Sequence, residues 1–175
     1  MSSDLRDLYQ ETILDHGKRP RNFGALASAN RTAEGYNPLC GDRETVYLDL
    51  QGDVLQDIRF EGAGCAISTA SASMMTESLK GKSRKEAEAL FKRFHDLITG
   101  QNPAPGGPPL GKLEVFEGVR EYPVRIKCAT LPWHTMKSAL LGEGQTVSTE
   151  AGAEASPREE PSDAAGKPRV LTEGA

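Results

Sequence analysis

Three cysteines, Cys40, Cys65 and Cys128, stand out in a chain of 175 residues. Thiolates bind soft and borderline metal ions and attack sulfur, so three that converge could hold a metal or carry sulfur. No two of them form a C-x-x-C pair. Spacing alone therefore leaves two readings open: three unrelated buried thiols, or three ligands brought together by the fold. Position strengthens the second. Cys40 lies in the turn Asn37-Pro38-Leu39-Cys40-Gly41-Asp42, just ahead of an expected strand. Cys65 follows Gly62-Ala63-Gly64 and is expected to open a helix; Cys128 follows Pro123-Val124-Arg125-Ile126-Lys127 and is expected to open another. At a helix start, free N–H groups and the dipole favour thiolate over thiol. None of the three falls on the apolar stripe of an expected element, where a merely structural cysteine belongs.

Three thiolates leave one position of a tetrahedral site open. Asp42 is the candidate for it, because a bend at Gly41 can aim both side chains of a Cys-x-Asp turn the same way. The competing reading of Asp42 is an ordinary turn acid at a strand start. The histidines fit less well. His134 is six residues past Cys128, which on a helix places the two about 120° apart around the axis and weakens a Cys–His dyad. His95 falls near the end of an amphipathic helix as a surface or half-buried residue. His16 ends the first helix, where a cation is stabilising. Three thiolates and a carboxylate around a divalent ion leave excess negative charge. Arg43, Arg125 and Lys127 flank the ligands, and Arg125 is the candidate to compensate it or to hydrogen-bond a ligand. The alternative for Arg125 is a solvated surface side chain.

These residues need elements to position them. Residues 4–15 read as an amphipathic helix with Leu5, Leu8, Tyr9 and Ile13 on one stripe. Residues 18–32 read as an extended arm. Alternation predicts strands over 44–51 (Val46, Leu48 and Leu50 inward) and 54–61 (Val54, Ile58 and Phe60 inward), joined tightly at Gln51-Gly52-Asp53. Ala33–Tyr36 could add a third strand. Residues 66–79 read as a helix of small residues. Ser83 with Glu86 makes a capping box for a helix to about Leu97. The segment 98–112 holds four Gly and four Pro and reads as a surface loop. A short helix is expected over 113–120, stopped at Tyr122-Pro123, and a last one from about Cys128 to Leu141, closed by Gly142.

Charge divides the chain unevenly. The net charge is −4, from 25 acids and 21 bases; residues 143–175 carry seven of the acids and three of the bases, which leaves 1–142 neutral. A neutral body argues against nucleic acid as the main partner. No apolar run reaches the ~18–20 residues that span a bilayer, which argues against a membrane. The first residues lack a basic segment followed by an apolar one, so a cytosolic setting with reduced thiols is expected. Two parts follow: a domain over 1–142, and an acidic tail over 143–175. The tail has no aromatic residue, and 16 of its 33 residues are Gly, Ala, Ser or Pro, so it is expected to be disordered.

Several stretches together resemble the U-type iron–sulfur cluster assembly proteins. They are the arm Arg19-Pro20-Arg21-Asn22-Phe23-Gly24 behind Tyr9, Ile13, Leu14 and His16, then Asn37-Pro38-Leu39-Cys40-Gly41-Asp42, Phe60-Glu61-Gly62-Ala63-Gly64-Cys65-Ala66-Ile67-Ser68, and Arg125-Ile126-Lys127-Cys128-Ala129-Thr130-Leu131-Pro132-Trp133. The resemblance covers about residues 4–141. It is closer to the SufU branch than to the IscU branch, which has His directly before the third Cys where this chain has Lys127; residues 98–121 would hold the insertion of the SufU branch. The resemblance implies an α+β fold of the SufE/IscU type, a small antiparallel sheet of about three strands covered on one side by helices. It implies Cys40, Asp42, Cys65 and Cys128 as metal ligands, and Zn²⁺ as the metal, with iron or a [2Fe–2S] cluster as the alternative. It implies a sulfurtransferase-like persulfide relay from a SufS-type cysteine desulfurase to downstream iron–sulfur assembly proteins; Cys40 is the expected acceptor, because it sits in a turn where it can move without breaking a helix start. The rival function is a scaffold that assembles a [2Fe–2S] cluster on the three cysteines and passes it on.

Overall fold

A computed structural model describes residues 3–103, 105–142 and 146–149. Most of the acidic 143–175 segment lies outside them. The elements in chain order are α1 (Ser3–Lys18), β1 (Arg31–Asn37), β2 (Asp42–Gln51), β3 (Val54–Ala63), α2 (Ala66–Leu79), α3 (Arg84–Thr99), a 3-10 helix (Gly111–Glu121), α4 (Pro123–Leu141) and β4 (Val147–Ser148). The fold is α+β. The sheet has four strands in the order β3-β2-β1-β4, one more than the expected three. β1, β2 and β3 pair antiparallel, and β4 adds a short parallel pairing to β1.

The inner face of the sheet is the alternate set Ala33, Val46, Leu48, Leu50, Leu55, Ile58 and Phe60, all buried. On β3 the inward residue is Leu55, not the expected Val54. The reason is a register shift: Asp49 pairs with Asp57 and Leu50 with Leu55, so one extra residue, Gln56, reverses the alternation ahead of it. The outer edge of β3 is covered at both ends. The arm contributes Phe23, whose neighbour Gly24 donates to Phe60 O at 2.8 Å while Phe60 N–H donates to Asn22 O at 3.1 Å. The α2–α3 connection contributes Lys82, whose carbonyl accepts from Leu55 N at 2.9 Å. Covered backbone is backbone that cannot recruit another strand.

Helix α2 packs against β3, α1 and α4, while α4 itself lies on β1 and β2, and nine residues of α2 are buried, from Ser68 to Leu79. A helix buried nearly all round must be apolar or small all round. Ala70, Ser71, Ala72 and Ser73 satisfy that, and the Ser71 hydroxyl finds Ala129 O at 2.5 Å and accepts from Trp133 Nε1 at 3.2 Å. Behind them Trp133 stacks on Phe94 at 4.7 Å, and Phe94 meets Phe116 edge-on at 5.5 Å. On α1 the expected stripe is only half used. Ile13 is buried and Tyr9 packs against the core, but Leu5 and Leu8 are exposed. The first turns of α1 extend past the body that its later turns pack on.

Candidate metal centre

The turn between β1 and β2 is set by Asn37 and Gly41. The Asn37 side-chain oxygen accepts from Leu39 N at 3.2 Å, its carbonyl accepts from Gly41 N at 2.8 Å, and Gly41 takes φ = 71°, a left-handed bend that favours glycine. Cys40 is thereby held half-buried at the tip, and Asp42 begins β2 on its inner face, 1 % exposed. Cys65 is the N-cap of α2, and its sulfur accepts from Ser68 N at 3.4 Å in place of the usual hydroxyl or carboxylate. Gly64 is required by space: a Cβ there would stand 2.6 Å from Ser68 Oγ and 3.0 Å from Asp42 Oδ1.

Cys128 is the correction. It does not open its helix. Pro123 takes the first turn, where its missing N–H costs nothing, so α4 starts five residues earlier than expected. Cys128 sits in the second turn, fully buried against the core-facing side. One turn on, Pro132 removes the donor that would bond the Cys128 carbonyl within the helix.

The structure brings the sequence candidates to one end of the sheet. Donor atoms of Cys40, Asp42 and Cys128 all lie within 4.8 Å of one another. The Cys40 and Cys128 sulfurs are 3.1 Å apart without a disulfide. Cys65 stands at the edge of that group, its sulfur 3.7 Å from Asp42 Oδ2 and its N–H donating to Asp42 Oδ1 at 2.8 Å. Contact with the Cys128 thiol, and then the Ser68 and Ile67 N–H groups, pull the Cys65 thiol down to about 6 against burial and the charge of Asp42. The same contact, with burial, pushes Cys128 up. Arg125 is exposed, yet its guanidinium hydrogen-bonds Cys128 and faces the charges of Cys65 and Cys40, which holds it more firmly protonated. Arg43 lies over the Tyr36 ring, 4.4 Å from its centroid. None of the three histidines joins the group. His134 packs edge-on against Phe91 at 5.1 Å, His95 stands beside both, and His16 is buried 2.7 Å from Ser73 Oγ.

Two residues escaped the sequence reading. Asn37 donates from Nδ2 to Cys128 Sγ at 3.5 Å, so it ties the turn to α4 as well as shaping it. Glu44 is buried on the inner face of β2, two residues past Asp42, with one carboxyl oxygen unpartnered among the described residues. Burial, and then the Asp42 charge, push its carboxyl well up, against a hydrogen bond from Thr135. Continuing the β2 alternation back from Val46 would have found it, because 42, 44 and 46 share a face.

Comparison with known proteins shows the family. Residues 8–129 match the family of NifU-like N terminal domains. The chain is 42 % identical over 142 residues to the zinc-dependent sulfurtransferase SufU of Bacillus subtilis, covering 81 % of this chain and 95 % of that protein. It is 43 % identical over 138 residues to the iron–sulfur cluster assembly scaffold protein IscU of Streptococcus pyogenes, covering 79 % and 86 %. Among solved structures, a nitrogen-fixing NifU-like protein (N-terminal) from Brucella abortus superposes with a TM-score of 0.71 at 27 % identity, over 80 % of this chain and 96 % of that one. The chain belongs to the NifU-like N-terminal family of iron–sulfur cluster assembly proteins, to which SufU and IscU belong.

Proposed function

We propose that this chain accepts persulfide sulfur from a SufS-type cysteine desulfurase on Cys40 and relays it into cluster assembly, with Zn²⁺ held by Cys40, Asp42, Cys65 and Cys128. The observation that carries the reading is the meeting of three thiols and one carboxylate from three separate segments at one end of the sheet, with Arg125 against them. The donor set fits zinc, which takes thiolate and carboxylate ligands in a tetrahedron without redox change. When bound, zinc supplies the charge that keeps the sulfurs deprotonated at neutral pH.

Cys40 is the acceptor because of where it sits. Cys65 caps α2 and Cys128 is built into α4, so moving either sulfur disturbs a helix. Cys40 is half-buried in a turn outside both helices, so its sulfur can move without breaking a helix start. Its sulfur attacks the outer sulfur of the donor persulfide. The donor's S–S bond breaks as the new one forms, and the electron pair leaves with the donor thiolate, which takes up a proton; no outside oxidant is needed. Arg125, against the thiol cluster, offsets the negative charge carried on sulfur through the exchange. Three unpaired thiols suit a reducing cytosol, and the SufU of Bacillus subtilis bears the name of a zinc-dependent sulfurtransferase.

A second reading, a [2Fe–2S] scaffold on the same three cysteines, is supported by the scaffold names of the IscU relatives. Metal analysis and a visible spectrum of the aerobically purified protein separate the two. Stoichiometric zinc without colour supports the relay, and a brown, iron-bearing protein supports the scaffold. Titration of the desulfurase with this chain, with and without zinc, then tests the relay itself. Turnover that does not respond to the zinc-loaded protein overturns it.

A further inference from the structure

Glu44 has no part in the relay described above, yet it sits where an acid is out of place. It is 6 % exposed, on the inner face of β2 two residues past Asp42. Its partners across the sheet are both glycines, Gly35 on β1 and Gly62 on β3, so no side chain stands directly opposite it. On the β1 side α4 closes in, and a Cβ on Gly35 would collide with Thr135 Oγ1. The Thr135 hydroxyl has a single hydrogen to give, and Leu131 O, at 2.8 Å, competes with Glu44 for it. Glu44 Oε1 has no hydrogen-bond partner among the described residues.

The charged groups nearby do not relieve it. Those that bear on it most are Asp42 and Cys65, both acids. A buried carboxyl with an unserved oxygen destabilises the fold, and acids set together need a cation as their common counter-charge. The metal centre is where such a cation would be held. Glu44 stands outside the tight donor group of Cys40, Asp42 and Cys128, so it is not one of the resting ligands. Residues 42 and 44 share a face with Cα atoms ~6.7 Å apart, a span that a glutamate side chain covers by rotamer change, without backbone movement.

When Cys40 accepts sulfur, its Sγ enters an S–S bond and is no longer a thiolate donor. Asp42, Cys65 and Cys128 remain, and one tetrahedral position opens. We propose that Glu44 is a reserve ligand, whose carboxylate fills that position and keeps Zn²⁺ in the folded chain while Cys40 carries sulfur. The proposal rests on the zinc reading of the site. It explains why a buried carboxyl with an idle oxygen lies beside Asp42, and it lets Cys40 leave without loss of the metal.

The zinc affinity of the full chain, read by competition with a chromophoric chelator, tests this without any desulfurase. Four chains form a cycle: the parent, Cys40→Ala, Glu44→Gln and the double variant. In the parent, where Cys40 holds the fourth position, Glu44→Gln weakens zinc binding by less than about threefold; in Cys40→Ala it weakens binding by about ten- to a hundredfold. Glu44→Asp keeps the charge but not the reach, and gives the same loss in Cys40→Ala. Urea unfolding of the metal-free variants shows that each body is intact. Equal losses from Glu44→Gln in the two backgrounds would make Glu44 a distant charge. No loss in either would give the open position to water. Full affinity in Glu44→Asp would assign the effect to charge alone. Each of these overturns the proposal while the parent still binds zinc. A parent that binds no zinc overturns the zinc reading of the site, and the proposal with it.

Discussion

Asp42 Oδ1 accepts the backbone N–H of Cys65 at 2.8 Å while its other oxygen lies 3.7 Å from the Cys65 sulfur. One carboxylate thus ties the start of β2 to the start of α2 and faces the thiols at the same time. The two roles separate by substitution. Asp42→Asn keeps an acceptor for the Cys65 N–H and loses the charge. Asp42→Ala loses both and leaves a partly buried donor unpaired, which costs about 1–3 kcal/mol. Urea unfolding of the metal-free chain is expected to place Asp42→Asn near the parent and Asp42→Ala below it by that amount, with zinc affinity reduced in both. Equal stability of the two variants would show that the backbone contact contributes nothing.

Zinc that binds the folded chain alone raises stability by mass action, by about 2.7 kcal/mol at a free concentration one hundred times Kd. A urea midpoint that climbs with zinc in the parent and stays flat in Cys128→Ser is the expected result. Chelation should lower the parent's midpoint without unfolding it, because the buried core from Val46 to Trp133 does not pass through the thiols. Collapse of the far-UV signal on chelation would make the metal purely structural.

Cys40→Ala is expected to leave the fold and the capping of α2 and α4 unchanged, because Cys40 belongs to neither helix. Sulfur uptake from a desulfurase, followed with labelled cysteine and mass spectrometry, should fall to background. Normal uptake by this variant would move the acceptor role to Cys65, whose thiol is held at about 6 chiefly by its contact with Cys128.

Arg125 is exposed, so its worth to the thiols is limited by solvent. Arg125→Ala should weaken zinc binding about three- to tenfold, the range of a charge-assisted hydrogen bond partly screened by water. Arg125→Lys should recover part of it, since charge survives and the fork geometry does not. Titration calorimetry reads both. An affinity unchanged in Arg125→Ala would return the side chain to the solvated surface.

Much of this architecture was legible because it rests on local rules. The Ser83–Glu86 capping box stands as read, with Glu86 N donating to Ser83 Oγ at 3.2 Å and Ser83 N to Glu86 Oε2 at 2.7 Å. The inward sets of β2 followed from alternation. The errors have non-local causes. Val54 was placed inward because the extra residue in β3 answers to pairing across the hairpin, not to its own sequence. The start of α4 was set late because Pro123 reads both as a block to the preceding helix and as a first residue of the next. β4 is two residues long and carries no pattern of its own; its partner on β1 creates it. Glu44 was passed over because a buried, half-satisfied acid runs against the burial preference of its residue type.

His16 shows how a terminal histidine can be misread, and the sign of a pH effect separates the two accounts. As a cation at the end of α1 it would stabilise the fold on acidification. In the structure it is 4 % exposed, with Nδ1 2.7 Å from Ser73 Oγ and Nε2 3.9 Å from Glu77. Burial, and next the Arg21 charge, hold its pKa below the usual 6.5, with Glu77 and Asp15 opposing and Lys112 adding to the fall. The folded chain therefore binds this proton less readily than the unfolded chain. The stability His16 confers is present above 6.5 and drains away as pH falls through the lowered folded value. Urea midpoints at about pH 7.5 and 5.5, compared between the parent and His16→Gln, isolate its share because the other groups titrate in both. The parent should lose more than the variant on acidification. A parent midpoint that rises relative to the variant at the lower pH would restore the helix-terminal cation.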